Sequence, residues 1–436
     1  MQEKIRNYSE ALAFVHGRRK FAKAPTLKRM RRLAELLGEP EKKLSFVHIT
    51  GTNGKGSVTA FLRDLLMAEG YQVGTFTSPF IVKFNERISV NGQMISDDEI
   101  TELVVELVPL IAQVDREFAD FGGGPTEFEV VTAMMLLYFS RHTPDFVLVE
   151  VGIGGLNDST NIITPLLSVI TSVGLDHMQL LGNTIEEIAA HKAGIIKDKI
   201  PVVCGHLPDG ALNVIRQKSQ ENGADLYLLG QEFFTKPKLS RNFWGEVFDY
   251  RFKTKTIKDV KVSLVGAYQR DNAAVALTSF AVLMQKIKRT VNLGQTAKVL
   301  EKTVWPARFE KINSEPLIVI DGAHNPAAIQ QLAQTLREKF SQAHVYLILA
   351  ILQDKQYEQM IQIMQKLPNV TLILTSFNAP RDSFPLDELS AKYPELQVID
   401  KWNEALGAAL SEMSAEDLLL ISGSLYFAAE VRQYFQ

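Results

Sequence analysis

The sequence has little of what would place it in a disulfide-rich or membrane-spanning class. Cysteine occurs once in 436 residues, at Cys204, so neither an internal disulfide nor a multi-cysteine metal site can form. No uninterrupted apolar run approaches the roughly 20 residues of a membrane-spanning helix. The first 20 residues lack the apolar core of a secretory signal. We therefore expect a protein of a reducing, cytoplasmic compartment.

An excess of charge of one sign is absent as well. Lys plus Arg number 47 and Asp plus Glu number 50, which gives a formal net charge of −3. A nearly balanced chain has no global basic field, so we expect no nucleic acid and no membrane as partner. The content of 46% hydrophobic and 22% charged residues is typical of a folded globular protein. The length favours two or three domains.

What the chain does contain is an alternation of strand-like and helix-like segments. Residues 46–50, 145–151 and 167–173 are apolar strand candidates, and stretches of helical spacing lie between them. A capping box, in which Ser or Thr is followed three residues later by Glu, precedes three of the helical stretches, at Ser96/Glu99, Thr126/Glu129 and Thr184/Glu187. Nearly continuous apolar strands between helices predict a mostly parallel sheet with helices on both faces.

The alternation restarts after Trp305, where the following proline favours extended backbone. Strands are predicted at 317–321, 345–350, 370–376, 396–399 and 418–422, with helices between them. We therefore predict an α/β protein with a first domain over 1–302, a linker over 303–307 and a smaller Rossmann-like βα domain over 308–436. Residues 225–266, where aromatic residues and threonine alternate with lysine, favour short strands or hairpins.

The strongest chemical signal is the stretch Thr50–Ser57, which reads TGTNGKGS between a strand and a helix. Glycines let the backbone wrap a phosphate, free N–H groups at the helix start face the anion, and Lys55 adds a cation. Ser57 offers a hydroxyl to phosphate or Mg²⁺. The stretch departs from the strict G-x₄-G-K-[ST] pattern, because Ile49 replaces the first glycine and Gly56 follows the lysine. A plain glycine turn is the alternative, but the lysine, the hydroxyl and the context favour a P-loop-type nucleotide site.

Polar residues also follow the other strands of the first domain. Glu150 ends a strand, at the edge where ligands collect, and its carboxylate could hold Mg²⁺. A surface glutamate paired with a lysine is the alternative. His177 follows the next strand as a candidate metal ligand or proton carrier, although a lone histidine is often structural. Ser78 could join the same metal or belong to an ordinary loop, and Lys192 by itself favours a solvated helix position.

The second domain carries the stretch DGAHNP after its first strand. Asn325 suits the N-cap and Pro326 the first helical position, which explains two of its residues structurally. Asp321 and His324 remain, at the ligand-facing edge of the predicted sheet. The later stretch Ser422–Ser424 favours a plain turn.

Together these stretches resemble folylpolyglutamate synthase and dihydrofolate synthase, within the wider Mur ligase superfamily. The resemblance covers about residues 45–330 and rests on HITGTNGKGSV, TSPFIVKFNERI, TEFEVVTAMMLLYF, VEVGIGGLNDSTN, LDHMQLLGNTIEEIAAHKAGIIK, WPARFEK and IDGAHNP. The combination SPF…NERI with HKAGIIK favours the folate branch over the cell-wall branch.

The resemblance implies an ATP-dependent amide ligase. ATP would phosphorylate a pteroate or folyl-glutamate carboxylate, and the amine of L-glutamate would attack the acyl phosphate to give an amide, ADP and phosphate. The expected partners are therefore ATP, L-glutamate and a reduced folate, with Mg²⁺ as cofactor, a monovalent cation left open, and a monomer as the assembly. Dihydrofolate synthase activity is left open too. The alternatives are a cell-wall Mur-type ligase and a non-ligase P-loop ATPase or switch.

The resemblance also implies roles residue by residue. Residues 1–302 would bind ATP and residues 308–436 would bind glutamate. Lys192 matches a lysine that is carbamylated in the family, and the loop Ser78–Arg87 would lie near the folate. Domain closure about residues 303–308 would assemble the site. The implied catalytic residues are Lys55, Lys192 and His324; the implied ATP-binding residues are Gly51, Thr52, Asn53, Gly54, Lys55, Gly56, Ser57, Asn272, Arg308 and Asp321; and the implied metal ligands are Ser57, Ser78, Glu150 and His177.

Overall fold

The computed structural model describes residues 5–20, 26–238, 243–378 and 383–435, which form two compact units. The first unit comprises Met1–Lys236, Asp249–Val260 and Asp271–Leu300. The second comprises Pro237–Phe248, Lys261–Arg270 and Glu301–Gln436. Packing thus assigns two segments before residue 301 to the second unit, while the functional domains predicted over 1–302 and 308–436 stay a prediction.

The helices follow one another along the whole chain. They are α1 (Tyr8–His16), α2 (Lys28–Leu36), α3 (Lys55–Ala68), α4 (Asp97–Glu117), α5 (Glu127–His142), α6 (Met178–Leu181), α7 (Ile185–Ala193), α8 (Asp209–Glu221), α9 (Ala267–Lys286), α10 (Leu293–Thr296), α11 (Pro326–Lys339), α12 (Tyr357–Gln365), α13 (Leu386–Lys392), α14 (Trp402–Glu412) and α15 (Leu425–Tyr434). Short 3₁₀ turns lie at Pro40–Lys42, Phe84–Arg87, Ala119–Phe121, Ser159–Ile162 and Ala297–Lys302.

The strands alternate with these helices over most of the chain. They are β1 (Phe46–Thr50), β2 (Val73–Phe76), β3 (Ile88–Val90), β4 (Gln93–Met94), β5 (Phe146–Glu150), β6 (Leu167–Ile170), β7 (Val202–Cys204), β8 (Leu226–Leu228), β9 (Phe233–Lys238), β10 (Glu246–Phe252), β11 (Lys255–Val262), β12 (Glu310–Ser314), β13 (Leu317–Ile320), β14 (Val345–Leu349), β15 (Val370–Ser376), β16 (Gln397–Lys401) and β17 (Leu418–Ser422).

The sheet of the first unit has the strand order β4-β3-β2-β5-β1-β6-β7-β8. The six strands β2, β5, β1, β6, β7 and β8 pair in parallel in this order, and β3 and β4 add an antiparallel edge next to β2. Strand β1 lies between β5 and β6, so the carboxyl ends of these strands meet at one edge of the sheet. The predicted mostly parallel sheet is confirmed.

Helices cover this sheet with two apolar clusters. One packs α1, α2, α4 and α5 against strands that include β1, β2 and β5, and the other packs α7 and α8 against β6 and β7. The predicted capping boxes at Ser96, Thr126 and Thr184 are confirmed, each with the reciprocal pair of hydrogen bonds. The dipeptide Asn91–Gly92 predicts a tight two-residue hairpin turn, and it forms the turn between β3 and β4 with positive φ angles of 50° and 77°.

The second unit is a Rossmann-like βα arrangement with the strand order β12-β13-β17-β14-β15-β16. The strands from β13 to β16 pair in parallel around an apolar core, as predicted. The edge strand β12 runs antiparallel to β13 and was not predicted from the sequence. Its residues, EKINS, are mostly polar and partly exposed, so they lack the apolar run of a buried strand.

Some elements of the fold lie outside the sequence predictions. Helices α1 and α2 and the segment β7–α8 carry no sequence prediction, whereas residues 225–266 form the short strands β8 to β11, as predicted. Strands β9 to β11 make a small separate sheet. Cys204 lies fully buried on β7. Over the described ranges, no helix is both long enough and apolar enough to cross a membrane.

Candidate active site

The glycine-rich loop between β1 and α3 depends on two glycines for different reasons. Gly54 has a φ of 88°, and a Cβ there would lie 2.5 Å from Oδ1 of Asn272. A Cβ on Gly51 would lie 1.9 Å from Oγ1 of Thr171. Only glycine allows both approaches without displacing a neighbour. The loop is therefore packed tightly against two other segments, one of which carries the predicted ATP-binding residue Asn272.

Hydroxyl groups that follow β6 hold the loop in place. The carbonyl oxygen of Asn53 accepts hydrogen bonds from Oγ1 of Thr171 at 2.5 Å and from Oγ of Ser172 at 2.9 Å. The backbone N–H of Thr52 donates to the carbonyl oxygen of Ser172 at 3.0 Å, and Gly174 N–H donates to Oγ1 of Thr52. These bonds fix the loop before any ligand arrives, which lowers the entropy cost of binding. Sequence reasoning missed the two hydroxyl groups, because nothing in Thr-Ser after a strand distinguishes them from a plain turn.

Lys55 begins α3 and lies between the loop and the end of β5. Its Nζ donates to the carbonyl oxygen of Gly51 at 3.0 Å and lies 3.9 Å from Oε1 of Glu150. Ser57, on the first turn of α3, is buried. Glu150 is also buried, so the surface-glutamate alternative is wrong about its position, although a lysine does pair with it. The arrangement puts one cation and one carboxylate at the start of a helix, where an anionic phosphate is favoured.

Lys192 lies buried near the carboxyl end of α7, so the solvated alternative is wrong. Burial and the neighbouring ammonium of Lys55 lower the pKa of Lys192 to about 7, and the carboxylate of Asp176 only partly opposes this. At neutral pH, the Lys192 side chain is therefore an uncharged amine in a large fraction of the molecules. An uncharged lysine amine is a nucleophile, whereas an ammonium is not.

His177 follows β6 at the same edge of the sheet. Its backbone adopts a positive φ of 50°, its N–H donates to Oδ1 of Asp176 at 2.9 Å, and its ring Nε2 lies 4.0 Å from Oδ2 of the same residue. The side chain is partly exposed, so the ring can reach a ligand in solution. The role of His177 as a metal ligand stays a prediction.

The loop Ser78–Arg87 is organised around one carboxylate. Glu86 accepts backbone N–H bonds from Ile81, Val82 and Lys83 at 2.7, 3.0 and 3.0 Å. A guanidinium N–H of Arg87 donates to Oγ of Ser78 at 3.0 Å. The predicted metal ligand Ser78 thus has a cation as its neighbour, so a metal there would compete with Arg87 for the hydroxyl oxygen.

Arg308, Asp321 and His324 lie in the second unit. The buried carboxylate of Asp321 accepts N–H bonds from Phe309 and Ala323, both at 2.8 Å. Burial raises the pKa of Asp321, while Arg308 and the two N–H groups oppose the rise. Nδ1 of His324 bonds the carbonyl oxygen of Gly322 at 2.9 Å, so Nδ1 carries the proton. The N-cap role predicted for Asn325 is confirmed.

Five predicted residues of the first unit, Gly54, Lys55, Glu150, Lys192 and Asn272, are therefore connected through the loop. Lys55 touches the loop carbonyls and Glu150, it lowers the pKa of Lys192, and Gly54 packs on Asn272. Ser78 is engaged by Arg87 instead. Whether Arg308, Asp321 and His324 act on the same ligands stays a prediction.

The predicted ligands can be tested against Mg²⁺ by their donor chemistry. Mg²⁺ prefers oxygen donors and is usually bound by one or two carboxylates together with waters and substrate phosphates. Ser57 and Glu150 supply such oxygens beside the loop. In the part of the chain that the structure describes, no three His, Cys, Asp or Glu side chains form a metal-binding group. This donor set fits a metal held largely by phosphate, with few protein ligands.

Sequence profiles place this two-unit α/β fold with its glycine-lysine loop in the class of Mur ligases. The profile described as the Mur ligase middle domain matches residues 122–280. The profile described as the Mur ligase, glutamate ligase domain matches residues 307–425. The two matches lie on either side of residue 300, where the last part of the first unit ends.

Curated relatives and solved structures define the family further. The chain is 40% identical over 98% of its length to dihydrofolate synthase/folylpolyglutamate synthase of Bacillus subtilis, of which 98% is covered. It is 39% identical to folylpolyglutamate synthase of Lacticaseibacillus casei, with 98% of each chain covered. A solved FPGS–AMPPCP–folate complex superposes with a TM-score of 0.86 at 38% identity, over 98% of this chain and 99% of that one. This chain belongs to the folylpolyglutamate synthase and dihydrofolate synthase family of the Mur ligase superfamily.

Proposed function

We propose that this protein is an ATP-dependent ligase that adds L-glutamate to a folate. A folate carboxylate oxygen attacks the γ-phosphorus of ATP and ADP leaves, which gives an acyl phosphate. The glutamate amine then attacks the acyl carbon, loses a proton and expels phosphate, so an amide forms. A carboxylate needs this activation because its own oxygen is a poor leaving group. The family membership and the relative solved with AMPPCP and folate support this proposal.

The observation that carries the proposal is the environment of Lys55. Its ammonium is held between a loop carbonyl oxygen and Glu150, at the start of α3, where the γ-phosphate of a bound nucleotide would lie. Negative charge on the phosphoryl oxygens during transfer is stabilised most by a cation that is already in position. We assign the ATP contacts to residues 51–57 and Asn272, with Arg308 and Asp321 contributing from the second unit.

We assign Mg²⁺ to Ser57 and Glu150, with Ser78 and His177 as further ligands. When bound, the metal supplies charge stabilisation on the phosphate oxygens. Glu150 is held by its place at the end of β5, next to β1, so the sheet itself fixes the distance between the carboxylate and the loop. His324 is assigned to the seating of glutamate.

Lys192 supports a further part of the proposal. An uncharged amine with a pKa of about 7 can attack CO₂, form an N–C bond and lose a proton, which leaves a carbamate anion. The reaction would place an anion, in place of an uncharged amine, near the charge of Lys55. Carbamylation therefore relieves the repulsion that lowers the pKa of Lys192.

The test is ADP release measured with purified protein, ATP and Mg²⁺. Release should require both L-glutamate and a reduced folate, and mass spectrometry should find the folate heavier by one glutamyl residue. Parallel reactions with dihydropteroate and tetrahydrofolate decide whether dihydrofolate synthase activity is present. Turnover on a nucleotide-linked muramyl substrate would favour the cell-wall branch instead. ATP hydrolysis that ignores both glutamate and folate, with no amide product, would contradict the proposal.

A further inference from the structure

Four consecutive buried residues tie together the elements behind the candidate active site. Each side chain of Asp158–Asn161 reaches a different segment. Asp158 accepts the N–H of Ile153, in the glycine loop that follows β5, at 2.9 Å. Ser159 shares a hydrogen bond with Thr132 of α5 at 2.6 Å.

Thr160 of the same segment reaches β1. Its hydroxyl donates to Oδ1 of Asp158 at 2.5 Å and therefore accepts the bond from Nε2 of His48 at 2.9 Å. Burial and the nearby charge of Lys197 lower the pKa of His48 to about 3, so this histidine stays neutral. The segment is thus a rigid connection between β1, which leads into the phosphate loop, and the glycine loop after Glu150.

Asn161 makes the connection to the turn that carries Lys192. Its Nδ2 donates to the carbonyl oxygen of Leu156 at 2.9 Å and to that of Gly194 at 3.2 Å. Its Oδ1 accepts from Nζ of Lys197 at 2.7 Å, and the same ammonium lies 3.5 Å from the carbonyl oxygen of Gly194. Burial and Arg31 lower the pKa of Lys197 only to about 8, so its ammonium is the main form at neutral pH.

Glycines let the two bridged segments meet backbone to backbone. A Cβ on Gly194 would lie 2.4 Å from Cα of Leu156, and one on Gly155 would lie 2.8 Å from the carbonyl oxygen of His191. The N–H of Leu156 donates to that same His191 oxygen at 2.7 Å. The glycine loop after Glu150 and the carboxyl end of α7 are therefore held in one fixed arrangement.

We propose that Asn161, held by Lys197, is a positioning residue that fixes Lys192 relative to the glycine loop after Glu150. Asn161 donates to one carbonyl oxygen in each of the two segments, that of Gly194 in the turn after Lys192 and that of Leu156 in the glycine loop after Glu150. The N–H of Leu156 in turn donates to the carbonyl oxygen of His191. Without the amide, the carbonyl oxygen of Leu156 loses this donor, the carbonyl oxygen of Gly194 keeps only the ammonium of Lys197 at 3.5 Å, and that ammonium loses its acceptor on Asn161. The turn then moves or admits water to satisfy them.

The expected consequence is a misplaced and better hydrated Lys192. A displacement of about 1 Å in a reacting site can lower the rate a hundredfold, because reacting groups must be aligned closely. Hydration would also weaken the burial that, with Lys55, keeps the amine of Lys192 uncharged against the pull of Asp176. The expected fall in kcat rests on the proposed function, whereas the expected change in the pKa of Lys192 does not depend on it.

The test compares Asn161→Ala with the matched variant Ser159→Ala. Both substitutions remove a buried hydrogen-bonding side chain from the same 3₁₀ turn, but Ser159 bonds α5 and not α7. For N161A we expect kcat to fall at least about tenfold, with KM for ATP and folate within about twofold. Competitive labelling of the Lys192 amine across pH, read by peptide mass spectrometry, should give an apparent pKa raised by about half a unit or more. S159A should match the wild type in both readouts.

Equal kcat values and equal Lys192 labelling profiles in N161A and S159A would overturn the proposal. If N161A does not fold, Lys197→Met decides, because it removes the ammonium that orients the amide and keeps the two carbonyl bonds. It should shift both readouts in the same direction by a smaller amount, and a wild-type profile in K197M would then refute the inference. If the wild type shows no glutamate ligation, the proposed function fails, while the labelling comparison still decides the role of Asn161.

Discussion

At the end of the first unit's parallel sheet, one lysine lowers the pKa of another. Nζ of Lys55 lies 3.9 Å from Oε1 of Glu150, and the charge of Lys55 makes protonation of the buried Lys192 less favourable. The two side chains can therefore have different chemical roles at the same pH, Lys55 as a cation and Lys192 as a neutral amine. The difference arises from the environment, since both are the same residue type.

The charge of Lys55 leads to a first prediction. Lys55→Ala should lower glutamate-dependent ADP release at least about hundredfold, because a preorganised cation at the phosphate is lost. The same variant should raise the apparent pKa of Lys192, because the repelling charge is gone. Steady-state kinetics and competitive labelling measure the two effects. Lys258→Ala, at an exposed position on β11, is the control that should change neither. Normal turnover in K55A would refute the assigned role.

The burial of Lys192 gives a second prediction, about stability against pH. In the folded state the pKa of Lys192 is about 7, whereas an unfolded lysine titrates near its ordinary pKa of 10.5. Below pH 7 both states are protonated and folding carries the full cost of burying the ammonium. Between pH 7 and about 10.5 the unfolded state binds more protons, so stability rises with pH.

Lys192→Met should remove this rise. The variant should be more stable than the wild type by roughly 2–5 kcal/mol at pH 7, and the advantage should shrink toward zero near pH 10.5. Urea unfolding at a series of pH values in CO₂-free buffer measures it, since a carbamate would change the charge. The exposed Lys258→Met should follow the wild type at every pH. An advantage of K192M that does not depend on pH would show that Lys192 is buried without being discharged.

At the scale of elements, the turn between β1 and α3 is determined by what packs on it. Gly54 needs glycine both for its positive φ and because Asn272 occupies the space of a Cβ. Gly70 has nearly the same φ of 85°, but nothing lies within 4 Å of its Cβ position. The two glycines therefore separate backbone strain from contact with Asn272.

Gly54→Ala and Gly70→Ala form a matched pair for the third prediction. Both should lose about 1 kcal/mol of stability from the strained φ. Only G54A should also raise KM for ATP, about tenfold or more, because its methyl group displaces Asn272 and reshapes the loop. Thermal unfolding and ATP titrations of turnover measure the two effects. Equal KM values for ATP in the two variants would show that Asn272 does not support the nucleotide loop.

At the scale of the whole molecule, the chain forms two units, each with its own sheet and core. Predicted ATP contacts occur in both units, with the glycine-lysine loop of residues 51–57 in the first and Asp321 in the second. Asp321 holds the amides of Phe309 and Ala323, so these two N–H groups report on its environment.

Hydrogen exchange gives the fourth prediction. A non-hydrolysable ATP analogue should slow amide exchange in residues 51–57 and 171–176, because ligand binding suppresses local opening. It should also slow exchange at Phe309 and Ala323 if Asp321 contributes to nucleotide binding as proposed. Helix α11, which follows this segment, is the internal control and should change little. Protection confined to the first unit would contradict the roles assigned to Arg308, Asp321 and His324.

Much of the fold could be predicted because its signals are local. Apolar runs, capping boxes at Ser96, Thr126 and Thr184, and the Asn91–Gly92 turn each act within a few residues. Helix α2 and strand β12 were not predicted, since their many polar residues form a stable element only when a neighbouring core supplies the apolar partner.

The sequence by itself determined most of the alternation of strands and helices, the mostly parallel sheets and the glycine-lysine loop, because turn geometry and apolar periodicity are properties of neighbouring residues. Only the tertiary structure decided the state of Lys192 and the work of Asn161 and Lys197. A pKa depends on burial and on charges from distant parts of the chain, and a buried amide matters through the carbonyl groups that it reaches. Neither the pKa nor the contacts of the amide can be derived from the spacing of residues along the sequence.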